Sequence, residues 1–153
     1  MKPLSQLPKD LLPLFEAATE VRKHSYSPYS KFAVGSVIRT TEGTVFAGCN
    51  VETVAYNNSL HAEMGAVSKL VAAGARRFDT VVVVTESDEP VFPCGFCLQY
   101  LSEFGSDADV YAINLRGEGT FRSAKLSALL PYQFQGHHIR TAPQTEFSEG
   151  EQL

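Results

Sequence analysis

The chain has 153 residues, 44% of them hydrophobic and 20% charged, with a formal net charge of −4. That length is one domain's worth and buries a core without disulfide staples. The scattered basic residues argue against the concentrated basic footprint of a polynucleotide binder, and no run approaches the roughly 18 apolar residues of a membrane helix.

In chain order, residues 9–24 read as a helix with Leu11, Leu12, Leu14, Phe15, Ala18 and Val21 on one side. Pro13 falls early enough to be tolerated. Ser27-Pro28-Tyr29-Ser30 is a turn. Residues 32–39 and 45–51 form a β-hairpin closed by Thr40-Thr41-Glu42-Gly43-Thr44. A polar connector, residues 53–60, leads to a helix over 61–73, which Gly74 ends as the C′ residue. Residues 80–85 are uniformly β-branched, the mark of a strand buried on both faces. A loop with Pro90 and Pro93 precedes a short helix over 94–104, and residues 110–114 are another strand. After a turn at 116–119, Ser123 caps a last helix carrying Leu126, Leu129 and Leu130 and stopped by Pro131. Residues 136–153 are polar and read as a mobile tail. The alternation of helices and strands is an α/β pattern, a mixed sheet covered on both faces.

The chemistry lies in His61-Ala62-Glu63 and Pro93-Cys94-Gly95-Phe96-Cys97. One histidine and two cysteines make three ligands, the number a catalytic zinc uses when its fourth position is kept for water. Cys94 and Cys97 alone are also readable as a structural half-site, a redox pair or two buried thiols. A structural zinc is usually closed by four ligands, and the remaining cysteine, Cys49, sits in a predicted strand. A redox pair leaves His61 and Glu63 unexplained. Three cysteines cannot all pair, which favours metal binding in a reducing compartment. Residues 1–6 lack the apolar core of a signal peptide, so a cytoplasmic protein is expected. His24, His137 and His138 lie near or beyond predicted helix ends and read as solvated imidazoles. Both ligand groups fall at predicted helix N-termini, whose positive ends favour thiolates.

The pattern H-x-E followed by P-C-x-x-C is similar to the signature of zinc deaminases. On that reading Glu63 takes a proton from a zinc-activated water and passes protons to a ring nitrogen and then to a departing amine. More specifically, residues 26–134 resemble the short, homotetrameric branch of the cytidine deaminases. The resemblance is carried by Tyr26-Ser27-Pro28-Tyr29-Ser30-Lys31-Phe32-Ala33-Val34-Gly35, by Gly48-Cys49-Asn50-Val51-Glu52, by the two zinc motifs, and by Leu129-Leu130-Pro131-Tyr132-Gln133-Phe134.

The resemblance implies a three-layer α-β-α sandwich with a mixed sheet of about five strands, in a catalytic domain of residues 1–135 followed by a tail of 136–153. It implies one Zn2+ per subunit on His61, Cys94 and Cys97, with Glu63 as the catalytic residue. The implied reaction converts cytidine and 2′-deoxycytidine to the uridines with release of ammonia, as in pyrimidine salvage. Asn50 and Glu52 then hydrogen-bond the ribose, and their spacing puts both on one side of a strand. Phe32 packs on the pyrimidine, Ala62 offers it backbone groups, Tyr56 lies near the pocket, and Phe134 closes the pocket of a neighbouring subunit. The implied partner is a small nucleoside, with neither nucleic acid nor membrane, in a homotetramer. A modified nucleoside, a nucleoside antibiotic or polynucleotide cytosine is the alternative substrate, and a non-catalytic zinc-stabilised protein the alternative class. Asn50 and Glu52 favour the simple nucleoside.

Three departures from the branch stand out. Its members usually bind zinc through three cysteines and carry an arginine after the glutamate, where this chain has His61 and Met64. Three thiolates and Zn2+ sum to −1, whereas two thiolates and a neutral imidazole sum to zero, so a balancing guanidinium is no longer needed. Leu98 stands where the family usually has another arginine, and the support expected there has no counterpart in the sequence. Residues 53–60 differ from the usual Asn-Ala-Ser-Tyr run.

Overall fold

The structure, a computed structural model, describes residues 1–139. Its spine is strand β4 (Phe78–Thr85). Val81 and Val83 face one side of the sheet and Val82 and Val84 the other, and all four are buried. β-Branched side chains suit such a two-faced strand. Around it the sheet runs β1 (Lys2–Pro3), β6 (Thr120–Lys125), β5 (Asp109–Asn114), β4, β2 (Gly35–Thr40), β3 (Val45–Cys49). β4 and β5 are parallel and every other pair is antiparallel, so the sheet is mixed, with six strands where about five were expected.

β6 was hidden by its polarity. Only Phe121 of that strand is buried on its face of the sheet, while Arg122 and Lys125 reach out to Glu89 and Asp109. Ser123 sits in the ladder opposite Tyr111 and caps nothing; the helix begins later, as α4 (Leu126–Leu129). β1 is two residues long, too short to leave a periodic signal.

Helix α1 (Leu12–Arg22), with Pro13 in its first turn, where a missing N–H costs nothing, lays Leu14 and Ala18 on Val37, Val82 and Val84. On the opposite face α2 (Ala62–Ala72), α3 (Gly95–Gly105) and α4 pack Ala66, Val67, Leu70, Leu98, Leu101 and Leu126 over Ile38, Val81, Val83 and Val110. The result is a three-layer α-β-α sandwich. α2 ends as the sequence predicts: Gly74 has φ +85°, and the N–H groups of Gly74 and Ala75 return to the carbonyls of Val71 and Leu70.

Two features aim these elements at one place. Gly48 lets α2 sit directly on β3, because a Cβ there would come within 2.4 Å of the Ala62 carbonyl and the Ala66 nitrogen. The strand pairing of β2 starts only at Gly35; residues 32–34 leave the sheet and are held by the side chain of Asn50. Among the described residues no helix is long and apolar enough to cross a membrane. Gly136–His138 is a 3-10 turn, and residues 140–153 of the predicted tail lie outside the described residues.

Candidate active site

The N-termini of α2 and α3 meet above the C-terminal end of β4, where ligands of open α/β sheets commonly bind. His61 and Cys94 are the residues just before each helix, and Cys97 lies in the first turn of α3. The Sγ atoms of Cys94 and Cys97 stand 3.5 and 3.2 Å from His61 Nδ1, and the three donor atoms lie within 4.8 Å of one another. Tetrahedral zinc with bonds of about 2.3 Å to sulfur and about 2.0–2.1 Å to nitrogen separates such donors by about 3.6 Å. The donor set therefore fits zinc with one corner unfilled by protein, and its mix of thiolate and imidazole suits that ion. Phe96 packs edge-on against the His61 ring, with centroids 5.9 Å apart.

Glu63 is buried in the first turn of α2, and the Cys97 thiol donates to its Oε2 at 3.4 Å. Burial pushes the Glu63 carboxyl above its ordinary range. Burial, then the adjacent Glu63 carboxylate, pushes the Cys97 thiol up. A cavity of about 470 Å³ opens beside the cluster, lined by His61, Glu63 and Cys94. Phe32, Asn50, Glu52, Tyr56 and Ala62 line the same space, which is in the size range of small-molecule sites. Its apolar wall is Val34, Leu60, Val83 and Phe92. Tyr29 and Tyr56 meet edge to face beside it, 5.7 Å apart.

Asn50 and Glu52 are heavily engaged within the chain. Asn50 Oδ1 accepts from the Ser25 hydroxyl at 2.6 Å and the Val34 N–H at 2.8 Å, while Nδ2 donates to the Phe32 carbonyl at 2.9 Å. That leaves one amide N–H uncommitted. Glu52 accepts from the N–H groups of Tyr29 and Ser30 and from the Ser30 hydroxyl, which hold its carboxyl below the usual range. Phe134 is not brought to this cavity. Its backbone is clasped by the Gln99 side chain at 2.8 and 3.0 Å, and its ring stacks on His138 beside the exposed Tyr132.

The family pattern described as "Cytidine and deoxycytidylate deaminase zinc-binding region" matches residues 9–113. The cytidine deaminase of Sporosarcina psychrophila is 36% identical over 134 residues, 87% of this chain and 97% of the relative. The chain belongs to the cytidine deaminase family. Another cytidine deaminase, from Mycobacterium tuberculosis H37Rv, is 36% identical over 117 residues, 76% of this chain and 84% of the other. The crystal structure of cytidine deaminase from Burkholderia pseudomallei matches with a TM-score of 0.75 at 39% identity, covering 80% of this chain and 97% of that one. The matched zinc-binding region contains the His-Cys-Cys cluster, and zinc is the cofactor, one per subunit.

Of the departures in this cytidine deaminase, the structure explains Leu98. Its side chain is buried in the apolar core with Ala66, Val67 and Leu101, where a guanidinium would have no place. Sequence reasoning assigned no role to Ser30, Val83, Thr85 or Phe92, all of which line the cavity. Ser30 lies in the segment of residues 26–35, two residues before Phe32. Val83 and Thr85 carried no facing cue, because a uniformly β-branched strand has no polar alternation to read.

Proposed function

We propose that the protein hydrolyses cytidine and 2′-deoxycytidine to uridine and 2′-deoxyuridine, releasing ammonia, with zinc held by His61, Cys94 and Cys97. The observation that carries this reading is a buried carboxylate, Glu63, beside a three-donor cluster that opens on a cavity lined by both apolar and polar side chains. When bound, zinc lowers the pKa of a coordinated water from 15.7 to about 7 and makes hydroxide available at neutral pH.

The protein's own groups do the rest. Glu63 accepts a water proton and delivers it to N3 as the C4–O bond forms, then takes the proton of the new C4 hydroxyl and hands it to the amine as the C4–N bond breaks and the C4 carbonyl forms. Phe32 and the apolar wall take the pyrimidine faces, and the Ala62 N–H, in the first helical turn with no intrahelical acceptor, serves the base. The free Asn50 N–H and the remaining lone pair on Glu52 Oε1 meet the sugar hydroxyls. Fixing the sugar places C4 against the nucleophile, which converts binding energy into orientation.

The assembly we propose is a homotetramer in the cytoplasm. Tyr26, Val54, Tyr56, Phe96 and Tyr132 are large apolar side chains exposed on the single chain. Phe134, standing outside its own cavity, is available to close a neighbour's.

Ammonia release tests the activity. Cytidine and deoxycytidine are expected to be deaminated, free cytosine and single-stranded DNA not, and a chelator should abolish turnover until zinc is restored. Activity on DNA alone would defeat the nucleoside reading, and a light-scattering mass near one chain would defeat the tetramer.

A further inference from the structure

Ser30 links two other residues that line the cavity, Glu52 and Phe32. Its hydroxyl donates to Glu52 Oε1 and accepts the Phe32 N–H at 3.0 Å. Its own N–H donates to Glu52 Oε2 at 3.2 Å, and that of Tyr29 does so at 3.0 Å. One short segment thus grips a carboxylate with three donors and passes the grip on to the residue that faces the base. Lys31, between Ser30 and Phe32, has φ +60°. A side-chain-bearing residue stays in that left-handed region only where its surroundings hold it; here the Lys31 N–H donates to the Ser27 carbonyl at 3.0 Å and the Phe32 N–H reaches back over it to the Ser30 hydroxyl. The serine hydroxyl uses its one donor and one acceptor in this way and keeps a second acceptor, on a residue that lines the cavity.

We propose that Ser30 is a positioning residue for substrate selection, locking the Glu52 carboxylate and the Phe32 backbone into one unit so that sugar hydroxyl and pyrimidine are read at a fixed separation. The inference rests on the deaminase reading above. Glu52 supplies the contact to the sugar, Phe32 the contact to the base, and Ser30 sets the distance between them without touching the reacting atoms.

The test compares wild type, Ser30→Ala and Ser30→Thr on cytidine and on 2′,3′-dideoxycytidine, which lacks the sugar hydroxyls that Glu52 would read. A hydrogen bond to a charged group is worth about tenfold or more in affinity. Ser30→Ala should therefore lower kcat/KM for cytidine, chiefly through KM, about tenfold more than for the dideoxy substrate, which loses only the hold on Phe32. The preference for cytidine then falls about tenfold. Ser30→Thr, which keeps the hydroxyl, should restore most of it, with one zinc per chain retained in both variants. An unchanged preference in Ser30→Ala, or equal behaviour of the alanine and threonine variants, overturns the proposal, as does a wild type without preference for cytidine. If Ser30→Ala fails to fold, Ser30→Cys, of similar size but with only a weak donor, is judged by the same ratio. A wild type that releases no ammonia from either substrate defeats the deaminase reading itself, an outcome distinct from those in which the wild type is active.

Discussion

Gly48→Ala tests whether the seating of α2 on β3 sets the site. The added Cβ would lie 2.4 Å from the Ala62 carbonyl and from the Ala66 nitrogen and 2.8 Å from the Gly65 carbonyl carbon, all backbone atoms. Ordinary contact needs about 3.5 Å, so α2 must lift by about 1 Å or β3 must bend. Overpacking of this kind costs typically about 1–3 kcal/mol, and the clash is with backbone, which argues for the upper end. The stiffer unfolded chain returns about 0.4–1 kcal/mol, leaving a net loss of about 2 kcal/mol. At about 2–4 °C per kcal/mol for a chain of this size, Tm should fall by about 4–8 °C. The lifted turn carries His61 and Glu63, and a misplacement of about 1 Å can cost about 100-fold in rate. Calorimetry, cytidine turnover and zinc content would be measured together. Gly95→Ala is the control: its Cβ meets nothing within 4 Å and its φ is outside the left-handed region, so stability should hold. A Gly48→Ala protein melting within about 2 °C of wild type and turning over at its rate would refute the seating argument.

Glu63→Gln keeps the shape and removes the proton carrier; turnover should drop by about 10²–10⁴-fold while atomic absorption still finds one zinc per chain. Leu98→Arg buries an unpaired cation among Ala66, Val67 and Leu101; it should cost more than about 3 kcal/mol and lower Tm by about 6–12 °C in a thermal melt. Ser36 is wholly buried and its hydroxyl has no partner among the described residues, so Ser36→Ala should gain about 1 kcal/mol and raise Tm by about 2–4 °C. The carboxyl of Glu52 is held low by the Ser30 hydroxyl first, then by the N–H groups of Ser30 and Tyr29 and by Lys31. A folded pKa below the unfolded value of about 4.3 means stability that is present above that value and is lost as pH falls through the lowered one. Chemical denaturation of wild type and Glu52→Gln across pH 3–6 should therefore show the wild type gaining on the variant as pH rises. Parallel curves would remove Glu52 from this role.

How much was legible depends on how locally each feature is encoded. The end of α2 was readable because a C-terminal cap is local: Gly74 sits in the left-handed region just past the helix. β4 was readable because burial on both faces selects one kind of side chain. β6 was not, since a strand that buries little beyond Phe121 owes its place to the ladder with β5, which no local pattern records. At the site, the sequence gives residue types and leaves their commitments open. Nothing in Asn50 or Glu52 as letters reveals that most of their hydrogen-bonding capacity is spent holding residues 29–34 over the cavity. Leu98 reads as a departure in sequence and becomes intelligible only once its burial is seen.

Leu98 and His61 then form one electrostatic solution. A centre of three thiolates and zinc carries net charge −1 and can repay the burial of a nearby guanidinium, because a buried cation is tolerable only with an anion in reach. A centre of two thiolates, one neutral imidazole and zinc carries none, so an arginine at 98, buried among Ala66, Val67 and Leu101, would gain less from it. Replacing it with leucine converts a several-kcal/mol liability into about 1.5–3 kcal/mol of apolar burial under the first turn of α3, the turn that bears Cys97. What still favours negative sulfur at the site is the convergence of two helix N-termini, each offering a partial positive charge of roughly half a unit. Their placement is fixed by packing: Gly48 seats α2, and Leu98 and Leu101 seat α3. In this chain the electrostatics of the proposed metal centre are therefore supplied by backbone and guarded by the core, so a substitution that shifts either helix reaches the zinc without touching a ligand.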